Sequence, residues 1–263
     1  MGKRAGKKAL LQLLQESYPA YEKDELWAFI ECRQVLVDGE ICPDSRRLVS
    51  TDSIIGFSFP TFVSRGGEKL DHALSQWNID VSQMIFVDAG SSTGGFTDCL
   101  LQRGAQAVHA VDVGYNQLDY RLRSDDRVFV HERRNIMHIN ALEPQPHAAV
   151  ADLSFRSITG AASHILSLTR EKWMVSLIKP QFELEREAAG FSGVVKDDAT
   201  LASILYAVFE SLTQERVGFS AMIESPIRGR KGNREFLALL RRDDDRMGKT
   251  EFLQCMESLL SGG

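Results

Sequence analysis

The sequence predicts an α/β protein, an open sheet preceded by a small module of helices and short strands. Three observations predict it. From residue 84 onward, apolar runs of strand length alternate with helical patterns. The first of those runs, MIFVDA, ends at Asp88 and breaks into GSSTGG before the helical pattern FTDCLLQRG. Strand, glycine loop and helix in that order form the nucleotide-type site of an open α/β sheet. Residues 1–60 lack this alternation and hold too few apolar residues for an ample core of their own.

Composition narrows the classes. The chain has 263 residues, 43% apolar and 25% charged, as in soluble globular proteins of one large domain or a medium and a small one. No stretch reaches the roughly 18 apolar residues of a membrane span. The basic start (Lys3, Arg4, Lys7, Lys8) is not followed by a secretory apolar core, because Gln12 interrupts Leu10 to Leu14. A cytoplasmic protein with no membrane partner is expected. Cys32, Cys42, Cys99 and Cys255 lie outside metal-ligand spacing and the histidines are scattered, so no metal site is expected. A net charge of −5 argues against a uniformly basic nucleic-acid coat but leaves room for a local basic patch.

Taken in order, Leu10 to Tyr18 reads as a helix stopped before Pro19. DELWAFIECR reads as a second helix with Asp24 as its cap. RQVLVDGEI alternates around Asp38-Gly39 as a hairpin, and residues 46–59 hold another extended patch. Phe59 to Leu74 reads as a linker punctuated by Pro60, Gly66 and Gly67, running into a helix from Glu68 to Trp77. Further strands follow at 107–114, 127–131 and 147–155, then a helix at 160–170 and a strand, KWMVSLI, stopped by Pro180. Residues 184–197 read as a mobile flap or substrate loop and 198–215 as a long helix. GFSAMIESPIRGRKGNREFLALLRR makes an edge hairpin, and KTEFLQCMESLL a short amphipathic helix.

Asp88 at a strand end suits a ligand with a positive charge or amine, which points toward S-adenosylmethionine rather than a dinucleotide. Asp112, closing the second strand, is placed to accept ribose hydroxyls; a surface acid at a loop start fits the same position. Asn135 stands where a loop reaches an adenine edge. Lys69, Asp152, Lys179 and Glu235 each sit at an element boundary, and strand ends at one sheet edge gather around the crevice. Such a set is either a structural ion network or a centre that positions and deprotonates a hydroxyl for methyl transfer. Arg65, Lys69, Arg133, Arg134, Arg228, Arg230, Lys231 and Arg234 are candidates for an RNA-facing patch; the RGRKGNRE turn also reads as a solvated hairpin.

Seven stretches together resemble one family: VSRGGEKL, DAGSSTGGFTDCLLQRGA, AVDVGYNQLDYRLR, ERRNI, ADLSF, IKPQFE and SPIRGRKGNREFL. The chain resembles the TlyA (hemolysin A) family, an S4-like RNA-binding domain fused to an FtsJ/RrmJ-type methyltransferase. The resemblance implies a Rossmann-like S-adenosylmethionine-dependent sheet with a small N-terminal α+β S4-like domain. It implies ribose 2′-O-methylation of ribosomal RNA, free or in ribosomal subunits, with no DNA partner. It places a Lys–Asp–Lys–Glu catalytic tetrad on Lys69, Asp152, Lys179 and Glu235. The cofactor loop falls on Asp88, Gly90, Ser91, Ser92, Thr93, Gly94, Gly95 and Phe96, with Asp112 on the ribose and Asn135 near the adenine. The implied partition is a degenerate S4-like RNA-binding module at 1–60, a linker and leading helix at 61–82, the methyltransferase domain at 83–245 and a C-terminal helix and tail at 246–263. The N-terminal module departs from the family: YPAYEKDELWAF, rich in acids and aromatics, stands where RNA-facing bases are usual. Two other readings remain, an RNA-binding or ribosome-assembly protein without turnover, and a cytolysin, for which the sequence offers neither a span nor a convincing amphipathic membrane helix.

Overall fold

The computed structural model describes residues 6–154, 157–183, 193–195, 197–229, 231–242 and 245–261. Most of the 184–197 loop, and Arg230, lie outside the described residues. The chain divides into two compact units, ending and beginning at Thr61 and Phe62.

The small unit runs β1 (Lys7–Ala9), α1 (Leu10–Ser17), α2 (Lys23–Glu31), β2 (Val35–Val37), β3 (Glu40–Ile41), β4 (Leu48–Ser50) and β5 (Ile55–Phe57). Leu10, Leu13, Leu14, Leu26 and Ile30 project from the two helices onto Val35, Val37 and Val49 to form its core. Asp38 and Gly39 take φ of 54° and 86°, the left-handed pair that a two-residue hairpin turn needs. Two local expectations need correcting. The basic run is not only a lead into a helix: Lys7–Ala9 pairs antiparallel with Leu48–Ser50. Asp24 is not the cap of α2: Glu22 holds that position, in a reciprocal capping box with Glu25.

The large unit runs α3 (Arg65–Gln76), β6 (Ile85–Ala89), α4 (Gly95–Gln102), β7 (Ala107–Val111), α5 (Tyr120–Arg123), β8 (Val128–His131), β9 (Ala148–Ala151), α6 (Ala162–Ser167), β10 (Trp173–Ile178), α7 (Pro180–Glu183), α8 (Asp198–Gln214), β11 (Gly218–Glu224), β12 (Phe236–Arg241) and α9 (Lys249–Ser261). Seven strands form one sheet in the order β11-β12-β10-β9-β6-β7-β8. β8, β7, β6, β9 and β10 are parallel, and β12 runs antiparallel between β10 and β11. Side chains alternate across the sheet. Trp173, Val175 and Leu177 join the core beneath α3 and α4, while Met174 and Ile178 join the one beneath α6, α8 and α9. Both faces are covered, so the central strands are continuous apolar runs rather than alternating ones.

The linker reading of residues 61–82 also changes. α3 begins at Arg65, so Gly66 and Gly67 lie inside the helix rather than ahead of it. Glycine disfavours a helix interior by about 1 kcal/mol relative to alanine, but here it permits backbone contact. A Cβ on Gly95, at the start of α4, would stand 2.3 Å from Ser64 Oγ and 2.9 Å from Gly67 N. A Cβ on Gly67 would stand 2.3 Å from Phe62 Cγ. α3 is therefore pressed against the start of α4, and with it Lys69 is held at the edge of the sheet.

Gly95→Ala is expected to lower unfolding free energy in a denaturant titration by about 1–3 kcal/mol through overpacking. Gly248→Ala, where an added Cβ meets nothing within 4 Å, is expected to stay within about 0.5 kcal/mol of the parent.

Candidate active site

Five parallel strands end at one edge, and four of them deliver a charged residue to the same cleft. Asp88 is the fourth residue of β6, Asp112 follows β7, Asp152 follows β9 and Lys179 follows β10. Glu235 precedes β12, whose first residue, Phe236, pairs with Ile178 at the last position of β10. The antiparallel insertion therefore adds the entrance of a strand to the exits of four others. β6 lies between β7 and β9, where the winding of the sheet reverses. That is the switch point at which open α/β sheets bind ligands.

A cleft of about 820 Å³ opens there, within the size range of a nucleoside-sized ligand site. Its lining includes Lys69, Asp88, Gly90, Ser91, Ser92, Thr93, Gly95, Phe96, Asp112, Asn135, Asp152, Lys179 and Glu235. Gly94 is not among the lining residues: at φ 94° it caps α4, and a Cβ there would stand 2.3 Å from Leu122 Cδ1. Its role is in the turn.

On one side of the cleft the glycine loop is pinned to β7. Gly90 N and Ser91 N both donate to Val111 O, and Gly94 N donates to Ser91 O. A Cβ on Gly90 would lie 2.6 Å from Asp152 O, so loop and acid are in backbone contact. Asp112 accepts from Ser92 N at 2.8 Å and from Gly114 N at 2.6 Å, which fixes the carboxylate while leaving lone pairs for ribose hydroxyls. Asn135 lines the cleft and caps the short 3₁₀ turn Ile136–His138 through its Oδ1, which fixes the orientation of its amide.

Asp88 is fully buried. Its Oδ2 accepts from Thr97 N and Thr97 Oγ1, at 3.1 and 2.7 Å, while Oδ1 has no hydrogen-bond partner. Burial, with smaller contributions from the Asp152 and Asp112 charges, pushes this carboxyl up to about 7 against the pull of Thr97. A buried carboxylate with an unpartnered oxygen beside a cleft suits a cationic ligand.

On the other side stand two ion pairs. Lys69 Nζ meets Glu235 Oε2 at 2.5 Å, and Lys179 Nζ meets Asp152 Oδ1 at 2.5 Å. Lys179 also donates to Ser154 Oγ at 3.2 Å and lies 5.6 Å from the Phe182 ring centroid. All four charges line the same cleft as the glycine loop.

Residues 62–242 match the model of the FtsJ-like methyltransferase family. Hemolysin A of Brachyspira hyodysenteriae is 41% identical over 211 residues, covering 78% of this chain and 87% of that one. The chain belongs to the FtsJ-like methyltransferase family, in its hemolysin A (TlyA) branch. Another relative, the 16S/23S rRNA (cytidine-2′-O)-methyltransferase TlyA of Mycobacterium tuberculosis, is 40% identical over 200 residues, 74% of each chain. A solved hemolysin-type chain from Streptococcus thermophilus superposes with a TM-score of 0.73 at 30% identity, over 98% of this chain and 97% of that one. Among the described residues no helix is long and apolar enough to cross a membrane, and no cluster of metal-ligating side chains occurs.

The FtsJ-like site has members that sequence reasoning did not single out. Ser154, Gln181 and Phe182 line the cleft beside the two lysine pairs. They lie within ADLSF and KPQFE, so adjacency to Asp152 and Lys179 was the available signal. Of the predicted basic patch, Arg65 and Arg134 line the cleft, Arg133 lies 4.0 Å over the Tyr115 ring, and Arg228 approaches Glu224 at 3.7 Å. Arg234 is a correction. It is 9% exposed and bonded to Glu224, Asp198 and Leu259 O, so it ties the hairpin to α8 and α9 instead of facing RNA.

The folded chain holds the Asp88 proton more tightly than the unfolded chain. Asp88 therefore favours folding in acid, and that contribution is lost as pH rises from 3.8 to about 7. Asp88→Asn is expected to stabilise the ligand-free protein at pH 8 by about 2–4 kcal/mol, with the gain vanishing near pH 4. Urea titrations of both proteins at the two pH values check this; a pH-independent difference contradicts the assignment.

Proposed function

We propose that this chain methylates ribose 2′-hydroxyls of ribosomal RNA with S-adenosylmethionine. The observation that carries the proposal is the meeting of two lysine–carboxylate pairs with a cation-suited glycine-loop site in one cleft. The name of the Mycobacterium tuberculosis relative supports the ribose and ribosomal RNA. Cytidine is accordingly the first nucleoside to assay.

The residues fit the cofactor. Asp88 would face its positive charge, Asp112 its ribose hydroxyls and Asn135 its adenine, along the wall formed by Gly90 to Phe96. Bound there, S-adenosylmethionine supplies an electrophilic sulfonium methyl. The work left to the protein is alignment and proton management. Lys179, held by Asp152 and Ser154, orients the acceptor oxygen; once its ammonium has passed one proton by way of Asp152 to solvent, the neutral Nζ receives the hydroxyl proton as the oxygen attacks the methyl. Asp152 keeps Lys179 in place and balances its charge. Lys69 and Glu235 hold the opposite wall through a pair anchored in α3 and at the start of β12. Arg65 and Arg134 at the cleft offer contacts for the RNA phosphates, which set position rather than sequence.

Lys179→Ala is expected to reduce methyl transfer to ribosomal RNA by about 10³-fold or more, within the range of lost general-base and positioning contributions. Cofactor affinity, measured by calorimetry, is expected to stay within about threefold. Transfer at the parent rate in this variant overturns the assignment of Lys179. Cofactor affinity is also expected to rise with pH up to about 7 and then level off, because only ionised Asp88 attracts the cation. The same titration on Asp88→Asn is expected to be flat and weak.

A further inference from the structure

We propose that Glu183 is a positioning residue of the transfer centre: it clasps the loop carrying Asp152 and Ser154 to α7, and so holds both partners of Lys179 in place. The proposal rests on the methyl-transfer reading.

The two sides of the Lys179 pair sit on separate loops. Asp152 follows β9 and Ser154 comes two residues later, while Lys179 follows β10 and leads into α7. At the cleft Lys179 Nζ spans the gap, reaching Asp152 Oδ1 at 2.5 Å and Ser154 Oγ at 3.2 Å. Connecting loops are the more mobile parts of a fold. A misplacement of about 1 Å at such a contact costs about 10²-fold in rate.

A second set of contacts joins the same two loops away from the cleft. Glu183 ends α7, four residues after Lys179. Its Oε1 accepts from Ile158 N at 3.0 Å, and its Oε2 accepts from the Ser157 hydroxyl. Ser157 Oγ also meets Thr159 Oγ1 at 2.6 Å and accepts from Thr159 N at 3.0 Å. Both ends of this loop are anchored. Ile158 is 1% exposed within the core beneath α6 and α8, and its carbonyl accepts from Ala161 N and Ala162 N. Asp152 N donates to Ala89 O. On the other side, Phe182 N closes α7 onto Lys179 O at 2.8 Å. Glu183 thus ties the helix that follows Lys179 to one end of a loop whose other end is Asp152.

The chemistry of the side chain fits a clasp better than a filler. Burial pushes the Glu183 carboxyl above its ordinary range, against the pull of Ser157 and Ile158. Among the described residues its donors are a hydroxyl and a backbone N–H, so no neighbouring cation accounts for an acid here. A carboxylate offers two acceptor oxygens at a fixed spacing, which suits two donors from adjacent residues. Glu183, Ser157 and Ile158 are not among the residues lining the cleft. Glu183 therefore acts through Asp152, Ser154 and Lys179 and does not touch substrate.

The test compares the full-length parent with Glu183→Ala, Glu183→Gln, Glu183→Asp and Ser157→Ala in methyl transfer to ribosomal RNA. Rates are expressed per site that binds S-adenosylmethionine in calorimetry, so a misfolded fraction does not count. Glu183→Ala is expected to lower kcat about tenfold or more, with the RNA KM and the cofactor Kd within about twofold of the parent. Glutamine is expected to restore kcat to within about threefold of the parent. Its oxygen can accept from Ile158 N and its NH2 can donate to Ser157 Oγ, which then donates to Thr159 Oγ1. Aspartate, one methylene shorter, is expected to be as slow as alanine. Glu183→Ala combined with Ser157→Ala is expected to lie within about twofold of Glu183→Ala, because both substitutions break one clasp. If Glu183→Ala binds no cofactor, glutamine and aspartate decide by the same criterion. Unchanged kcat in Glu183→Ala, a loss carried by KM or Kd, or glutamine as slow as aspartate overturns the proposal while the methyl-transfer reading stands. No transfer by the parent overturns that reading, and the proposal with it.

Discussion

The site depends on one reversal of chain direction. β6, β7, β9 and β10 exit at the same edge of the sheet, and a wholly parallel sheet would bring only strand ends there. β12 enters at that edge because it runs antiparallel beside β10. The register sets Phe236 opposite Ile178, so Glu235 and Lys179 flank the same rung of the ladder. α3 completes the arrangement from outside the sheet through the Lys69–Glu235 pair. Four residues far apart in the chain thus share a cleft because hydrogen-bond register leaves them little freedom to be elsewhere.

The same cleft holds a carboxyl group that the fold disfavours in its ionised form. Asp88 is buried with one oxygen unpartnered, and its neutral form persists up to about pH 7. A purely structural role would be served better by an uncharged side chain. Retaining an acid here sacrifices stability for a site that a cation can complete, as expected where local consistency yields to function. Crowding reinforces the arrangement: Gly90 abuts Asp152 O, and Gly95 abuts Ser64 and Gly67, so the loop cannot shift without moving Asp152 and the start of α3.

Much of this was legible in the sequence because the signals are local. The apolar run into Asp88, the glycine loop, the acids and lysine at strand ends and the final hairpin each announce themselves within a dozen residues. Contacts distant in sequence did not. Gly66 and Gly67 read as linker punctuation because glycine opposes helix; their fit against Gly95, nearly thirty residues on, was hidden. Arg234 read as a base on a basic turn, whereas its partners come from α8, α9 and β11. The short strand Lys7–Ala9 exists only through pairing with Leu48–Ser50, which no local pattern encodes. Placement at the strand ends suggested the four residues and Lys179 as the one to meet a hydroxyl, while leaving an ion network open; the family resemblance supplied the Lys–Asp–Lys–Glu set as a catalytic tetrad.

The central claim is that the cleft directs a methyl group to a ribose oxygen. Its most direct test is incubation of the full chain with ribosomal subunits and methyl-labelled S-adenosylmethionine, followed by digestion of the RNA and identification of the labelled nucleoside. The account predicts label in a 2′-O-methylated nucleoside. Label on a base, or no label on any ribosomal RNA while the cofactor binds, would contradict it.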